Sequence, residues 1–206
     1  MTVDFQVTAG DALMVIDVQN DFCRAGALEV PDADAIVAPV NELMAVFPVV
    51  VLTQDWHPPG HSSFASQHTE AGPFDTVQMP YGDQTLWPDH CVQGTRGSYF
   101  HKDLDTDRAH MIVRKGYRAE VDSYSAFVEN DKKTSTGLDH WLRGLGVKRV
   151  VCCGLALDFC VRFSAEDAKA HGFSTVVLEH ACRGIDMQGS VAEARASMQN
   201  AGIVLI

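Results

Sequence analysis

Asp17, Asp55, His57, Lys115 and Cys160 share a placement: each closely follows the apolar core of a strand-like run. Asp17 ends the run Ala12–Ile16. Asp55 and His57 lie beyond Pro48–Leu52, Lys115 lies beyond His110–Val113, and Cys160 follows Val147–Cys153. A carboxylate, an ammonium and a thiol gathered at one place can attack a carbonyl carbon. The carboxylate accepts the thiol proton and the ammonium stabilises the anion that forms. Cys160 comes where a strand turns into a helix, after Gly154-Leu155-Ala156-Leu157-Asp158-Phe159. The positive end of a helix dipole there favours a thiolate. Taken singly, each residue has a plainer reading. Cys160 could be one more buried thiol like Cys23, Cys152, Cys153 and Cys182, and Asp17 with Lys115 could be a strand-end salt bridge. The convergence of four segments argues for a site.

Asp55-Trp56-His57, with His90 further along, reads as a metal-ligand set. In an extended segment Asp55 and His57 turn to the same side. Two imidazoles and one carboxylate leave coordination positions open, as catalytic or substrate-binding metal sites do. His61 and His68 are further candidates, although nine histidines make chance proximity cheap. Cys91 is read as packing. No glycine-rich dinucleotide or phosphate loop follows a strand, so a nucleotide cofactor is not indicated.

The elements that must position these residues alternate. Apolar runs without polar alternation, including Thr175–Leu178 and Ile203–Ile206, predict strands buried on both faces. Helical patterns cover Asp34–Val46, with Pro39 forcing a kink or a late start, and also Thr136–Leu145, Asp158–His171 and Ser190–Ala201. The fold class expected is α/β: a doubly wound, mostly parallel sheet with helices on both faces, forming a single domain over residues 1–206. Ligands of such sheets bind beyond the carboxyl ends of the strands, where the candidate residues fall. Residues 56–108 break the rhythm with Gly, Pro, His and aromatic residues. This excursion is too long and too aromatic for a plain loop and is expected to build the site.

Composition removes several classes. A chain of 206 residues with 46% hydrophobic and 21% charged residues is ordinary for a globular protein. No apolar stretch reaches membrane-spanning length, and the start shows no signal peptide. A formal charge of −11 disfavours nucleic acid and anionic membranes as partners. Six scattered cysteines without a C-x-x-C suit free thiols in the cytoplasm. A homo-oligomeric state is left open.

Several motifs together resemble one family. Asp17-Val18-Gln19-Asn20-Asp21-Phe22-Cys23 with Gly26-Ala27-Leu28, Gln54-Asp55-Trp56-His57-Pro58, and Leu86-Trp87-Pro88-Asp89-His90-Cys91 are similar to motifs of nicotinamidases. So are Asp122-Ser123-Tyr124-Ser125-Ala126-Phe127 and Gly154 to Val161. These enzymes belong to the isochorismatase-like cysteine hydrolase superfamily. The resemblance runs from about residue 11 to the end. It implies a catalytic triad of Asp17, Lys115 and Cys160, and one divalent metal, zinc or in some members iron or manganese, on Asp55, His57 and His90. Some members add a ligand where this chain has Ser63. The resemblance also implies a cis peptide between Leu155 and Ala156, an oxyanion hole from the N–H groups of Ala156 and Cys160, and Phe22, Trp87 and Tyr124 as walls for a pyridine ring. The activity implied is hydrolysis of nicotinamide to nicotinate and ammonia through a cysteine thioester, with pyrazinamide also accepted. The competing readings are an amidohydrolase of the same superfamily acting on a carbamoyl or ureido substrate, and a metal- or redox-responsive binding protein.

Overall fold

The computed structural model describes residues 5–206. The first four residues of the expected 1–206 domain lie outside the described residues. In chain order the elements are β1 (Asp11–Ile16), α1 (Val37–Met44), β2 (Val49–Asp55), β3 (Thr76–Met79), β4 (Gly82–Thr85) and β5 (Met111–Lys115). They continue with α2 (Leu138–Gly144), β6 (Arg149–Leu155), α3 (Arg162–Ala170), β7 (Ser174–Arg183), α4 (Ser190–Asn200) and β8 (Val204–Leu205).

Among the described residues six strands form one sheet in the order β5-β2-β1-β6-β7-β8. Every neighbouring pair in it is parallel. Strand order reverses between β1 and β6, which makes their carboxyl ends the natural crevice. All six residues of β1 are buried, although successive side chains point to opposite faces, so both faces of the sheet centre are covered. The core is therefore built on the apolar runs read from the sequence. No described helix is long and apolar enough to cross a membrane.

Three expected elements differ in extent. The first helix starts late: a 3₁₀ turn covers Ala33–Ile36, and α1 begins at Val37. Pro39 then lies in the first turn, where its missing N–H breaks no helical bond. The segment expected as a helix from Asp158 opens as a π turn, Leu157–Val161, before α3 takes over at Arg162. β7 reaches Arg183, five residues past the expected end, because its pairing with β6 slips between Cys152 and Gly154. The excursion contains short 3₁₀ turns and an antiparallel hairpin, β3 with β4, separate from the main sheet.

Gly154 permits the closest approach in the sheet. Its φ is +115°, and a Cβ there would lie 2.1 Å from the Ile16 carbonyl oxygen. Neither an L side chain's backbone preference nor the space allows a substitution. Gly154→Ala is expected to cost roughly 2 kcal/mol or more of stability. Urea denaturation measures this, and an unchanged midpoint would contradict the close β1–β6 contact.

Candidate active site

Lys115 ends β5 beside Asp55, its register partner at the end of β2. The lysine is only 1% exposed, and four groups surround its ammonium. Nζ lies 2.8 Å from Asp17 Oδ2 and pairs with Asp55 Oδ1. It also donates to the Ser123 carbonyl at 3.1 Å and approaches Cys160 Sγ at 3.3 Å. Burial pulls its pKa down, but Asp17, Asp55 and Cys160 outweigh this and hold it well above the usual lysine range. The ammonium is therefore a fixed positive charge.

Asp17 sits just past β1 with a φ of +49°, an uncommon backbone for a non-glycine residue. Thr53 on β2 holds it twice. The Thr53 hydroxyl donates to Asp17 Oδ1 at 2.6 Å and accepts the Asp17 N–H at 3.1 Å. Oδ2 makes no other hydrogen bond in its buried position and faces Lys115. Burial, reinforced by Asp55, raises the Asp17 pKa against the pull of Lys115. Carboxylate oxygens of Asp17 and Asp55 and the Cys160 sulfur all lie within 4.8 Å of one another.

Cys160 departs from the expectation of a dipole-stabilised thiolate. It lies in the π turn ahead of α3, is buried, and has its pKa pushed well above the usual thiol value. Burial is the main cause; Lys115 opposes it, while Asp17 and Asp55 add to it. The surroundings thus raise the proton affinity of both the sulfur and the Asp17 carboxylate beside it. The remaining cysteines are free and buried, and burial raises those of Cys23 and Cys182 to about 12. The peptide between Leu155 and Ala156 is cis.

The metal-type residues meet at one point. Asp55 Oδ2 lies 3.7 Å from His57 Nε2 and 3.8 Å from His90 Nε2, and all three side chains are buried. The opposite ring nitrogens are committed to backbone carbonyls, His57 Nδ1 to Gly116 O at 2.9 Å and His90 Nδ1 to Pro88 O at 2.8 Å. A carbonyl can only accept, so each Nδ1 carries the proton and each Nε2 turns a lone pair inward. Two such imidazoles and a carboxylate oxygen fit a divalent zinc, iron or manganese ion. Gly116 allows this packing: a Cβ on it would lie 2.4 Å from His57 Cε1. Ser63 is directed elsewhere, its hydroxyl 2.8 Å from His61 Nδ1. His68 Nε2 pairs with the Ser62 carbonyl. His61 groups with His57 and Asp122 rather than with His90.

Each cluster presents part of itself to one cavity, whereas Asp17, Lys115 and His57 lie beneath its lining. Phe22, Trp87, Tyr124 and Ala156 line it together with Asp55, His90 and Cys160; Leu155 is buried behind it and does not. Trp87 stands edge-on to Tyr124 and to Phe159, with centroids 6.2 and 4.8 Å apart. Four lining residues had not been singled out: Leu28, Asp122, Phe159 and Ile185. The first three stand inside the quoted motifs, whereas Ile185 follows β7 with no sequence signal. Gln19 was also missed as a clamp. Its fully buried amide accepts the Asp55 N–H at 2.8 Å and donates to the Asp55 carbonyl at 2.9 Å, fixing the end of β2.

The fold and site define an α/β protein with a carboxylate, an ammonium and a thiol beside a metal-type triad at the sheet's switch point. An isochorismatase domain model matches residues 11–206. The chain is 48% identical over 192 residues to a nicotinamidase of Acinetobacter baylyi, covering 93% of this chain and 90% of the relative. Among solved structures, an Acinetobacter baumanii nicotinamidase and pyrazinamidase superposes with a TM-score of 0.96 at 49% identity, covering 98% of this chain and 97% of that one. A zinc complex of Pyrococcus horikoshii pyrazinamidase superposes with a TM-score of 0.79 at 37% identity, covering 96% and 98%. The chain belongs to the isochorismatase family.

Two measurements test the electrostatics and the metal fit. Lys115 holds the Cys160 pKa down, so Lys115→Ala is expected to move alkylation of Cys160 to higher pH, by about one unit or more. An unchanged labelling profile would remove the lysine from that role. His90→Ala is expected to lower zinc affinity at least ~100-fold, read by competition with a chromogenic chelator. Native-like affinity would show that the three residues do not form the site.

Proposed function

We propose that this chain is a nicotinamidase: it hydrolyses nicotinamide to nicotinate and ammonia, and accepts pyrazinamide as well. The observation that carries the reading is that Cys160, backed by Asp17 and Lys115, and Asp55 and His90 of the triad line the same aromatic-walled cavity. The similarity to nicotinamidases along nearly the whole chain supports it. A flat heteroaromatic amide suits a cavity walled by Phe22, Trp87 and Tyr124. A divalent ion held by Asp55, His57 and His90, with zinc the metal we favour, would supply a Lewis-acidic position for the ring nitrogen. Six free thiols suit a cytoplasmic enzyme.

In the proposed mechanism Asp17 takes the Cys160 proton as sulfur attacks the carboxamide carbon. Lys115 balances the charge that develops on sulfur. The oxyanion is held by the backbone N–H groups of Ala156 and Cys160, donors worth about 10²–10³ in rate each in comparable holes. Asp17 then returns the proton to the departing nitrogen, and ammonia leaves a thioester on Cys160. Water gives a proton to Asp17 as it attacks the thioester, and collapse releases nicotinic acid and restores the thiol. Each proton that moves passes through Asp17.

Cys160→Ala is expected to reduce ammonia release at least ~10³-fold while the fold persists, and Cys152→Ala to retain most activity. Near-native turnover by the Cys160 variant would sink covalent catalysis. Benzamide, which keeps the carboxamide and ring shape without the ring nitrogen, is expected to be at least ~100-fold poorer in kcat/KM than nicotinamide. Equal turnover of the two amides would remove the orienting role given to Asp55, His57 and His90.

A further inference from the structure

We propose that Gln84 is a positioning residue that holds the Tyr124 wall of the substrate cavity from the hairpin of the excursion. This inference rests on the nicotinamidase reading and deepens it. The strand residues of the β3–β4 hairpin are exposed or half-buried except Gln84, which is 0% exposed. A strand that turns a single side chain inward would ordinarily turn an apolar one. A buried amide is costly unless its hydrogen bonds are made.

Here they are made, and to residues of the cavity. Gln84 Nε2 donates its two hydrogens among the Tyr124 hydroxyl at 2.8 Å, Asp122 Oδ2 at 2.9 Å and the Thr85 carbonyl at 2.7 Å. Gln84 Oε1 accepts from Asn130 Nδ2 at 3.2 Å and from the Tyr81 hydroxyl at 3.2 Å. The orientation of the amide is forced by its surroundings. The Tyr124 N–H can only donate, and it does so to Asn130 Oδ1 at 3.1 Å, which turns Asn130 Nδ2 toward Gln84. That donor requires Gln84 Oε1 opposite it, and the nitrogen then faces the Asp122 carboxylate.

Tyr124 gains two donors from this arrangement, Gln84 Nε2 and the Trp87 indole N–H at 3.2 Å. Its phenol is therefore pinned at the tip while its ring stands edge-on to Trp87 and Phe159. Gln84 touches none of the thiol, the triad or the ammonium. Its loss should loosen the ring wall without removing a reacting group, so the effect belongs in KM rather than kcat.

The experiment is a double-mutant cycle on nicotinamide hydrolysis, with unfolding midpoints recorded for each protein. Gln84→Met is expected to raise KM about tenfold and to leave kcat within about threefold, a change of the size one lost buried hydrogen bond gives. In a Tyr124→Phe background the same substitution is expected to raise KM less than about twofold, because the hydroxyl it served is gone. Gln84→Glu keeps the length but puts an acceptor where the donor stood. It is expected to raise KM at least as much, and it takes the place of Gln84→Met in the cycle should that variant not fold. Equal KM effects in both backgrounds, an unchanged KM, or a loss confined to kcat would each overturn the proposal. Failure of the native chain to release ammonia would overturn the nicotinamidase reading with it. Native turnover with uncoupled variants would overturn the role of Gln84 alone.

Discussion

One buried ammonium organises this molecule. Burying an ionised lysine costs several kcal/mol unless its charge is met by well-placed partners. Lys115 is met from four directions, by Asp17 after β1, Asp55 on β2, the Ser123 carbonyl and the Cys160 sulfur. Those partners lie between 17 and 160 in sequence, and the parallel sheet with the turns beyond its carboxyl ends brings them together. Asp55 and Lys115 are neighbours because β2 and β5 pair in that register, and a one-residue slip would turn one of them to the opposite face. The same register leaves Asp55 Oδ2 directed toward His57 and His90. The thiol cluster and the metal-type triad are thus two sides of a single carboxylate.

Positioning of this kind strains the backbone at the rim. Asp17 and Cys91 adopt φ values of +49° and +47°, where side-chain-bearing residues are seldom found. Both are held from outside their own segments. Thr53 grips Asp17 from β2, and the Cys91 N–H donates to Asp21 Oδ2 at 2.7 Å. Asp21 also accepts the Ala27 N–H, so the turn carrying Phe22 is tied to the segment carrying His90. Local propensity is overruled where the site needs it, which is where such conflicts are expected.

The sheet and the candidate residues gathered at its rim were legible because both follow simple rules. Buried strands read as unbroken apolar runs, and polar residues at their carboxyl ends can face only the crevice. The boundaries were harder. The late start of α1 follows from Pro39, a residue whose cost depends on its place in the helix. The reach of β7 to Arg183 goes with a register shift in its pairing with β6 between Cys152 and Gly154, a relation between segments that no local window contains. Residues 56–108 were opaque for a different reason. Their order rests on bonds such as Gln93 Nε2 to the Trp56 carbonyl and Gln19 Nε2 to the Ser98 carbonyl, which leave no periodicity behind. Gln84, inside this stretch, acquires a role only when Asp122 and Tyr124 are seen beside it.

The charges of the site also explain why a single group can serve every proton transfer in the proposed mechanism. Lys115 stays charged because two carboxylates surround it, so it cannot supply a proton cheaply. Burial and those same carboxylates raise the Cys160 pKa against the pull of Lys115, which opposes loss of its proton before new bonding to carbon forms. Asp17 lies between them, with its own pKa raised by burial and held in check by Lys115. Raising the proton affinity of the carboxylate narrows the gap between it and the thiol, which is what a reversible transfer between them needs. Thr53 fixes Oδ1, leaving Oδ2 on the side of Lys115, within the cluster that contains the sulfur. The ammonium that offsets burial of the carboxylates is therefore also the charge that opposes protonation of Asp17.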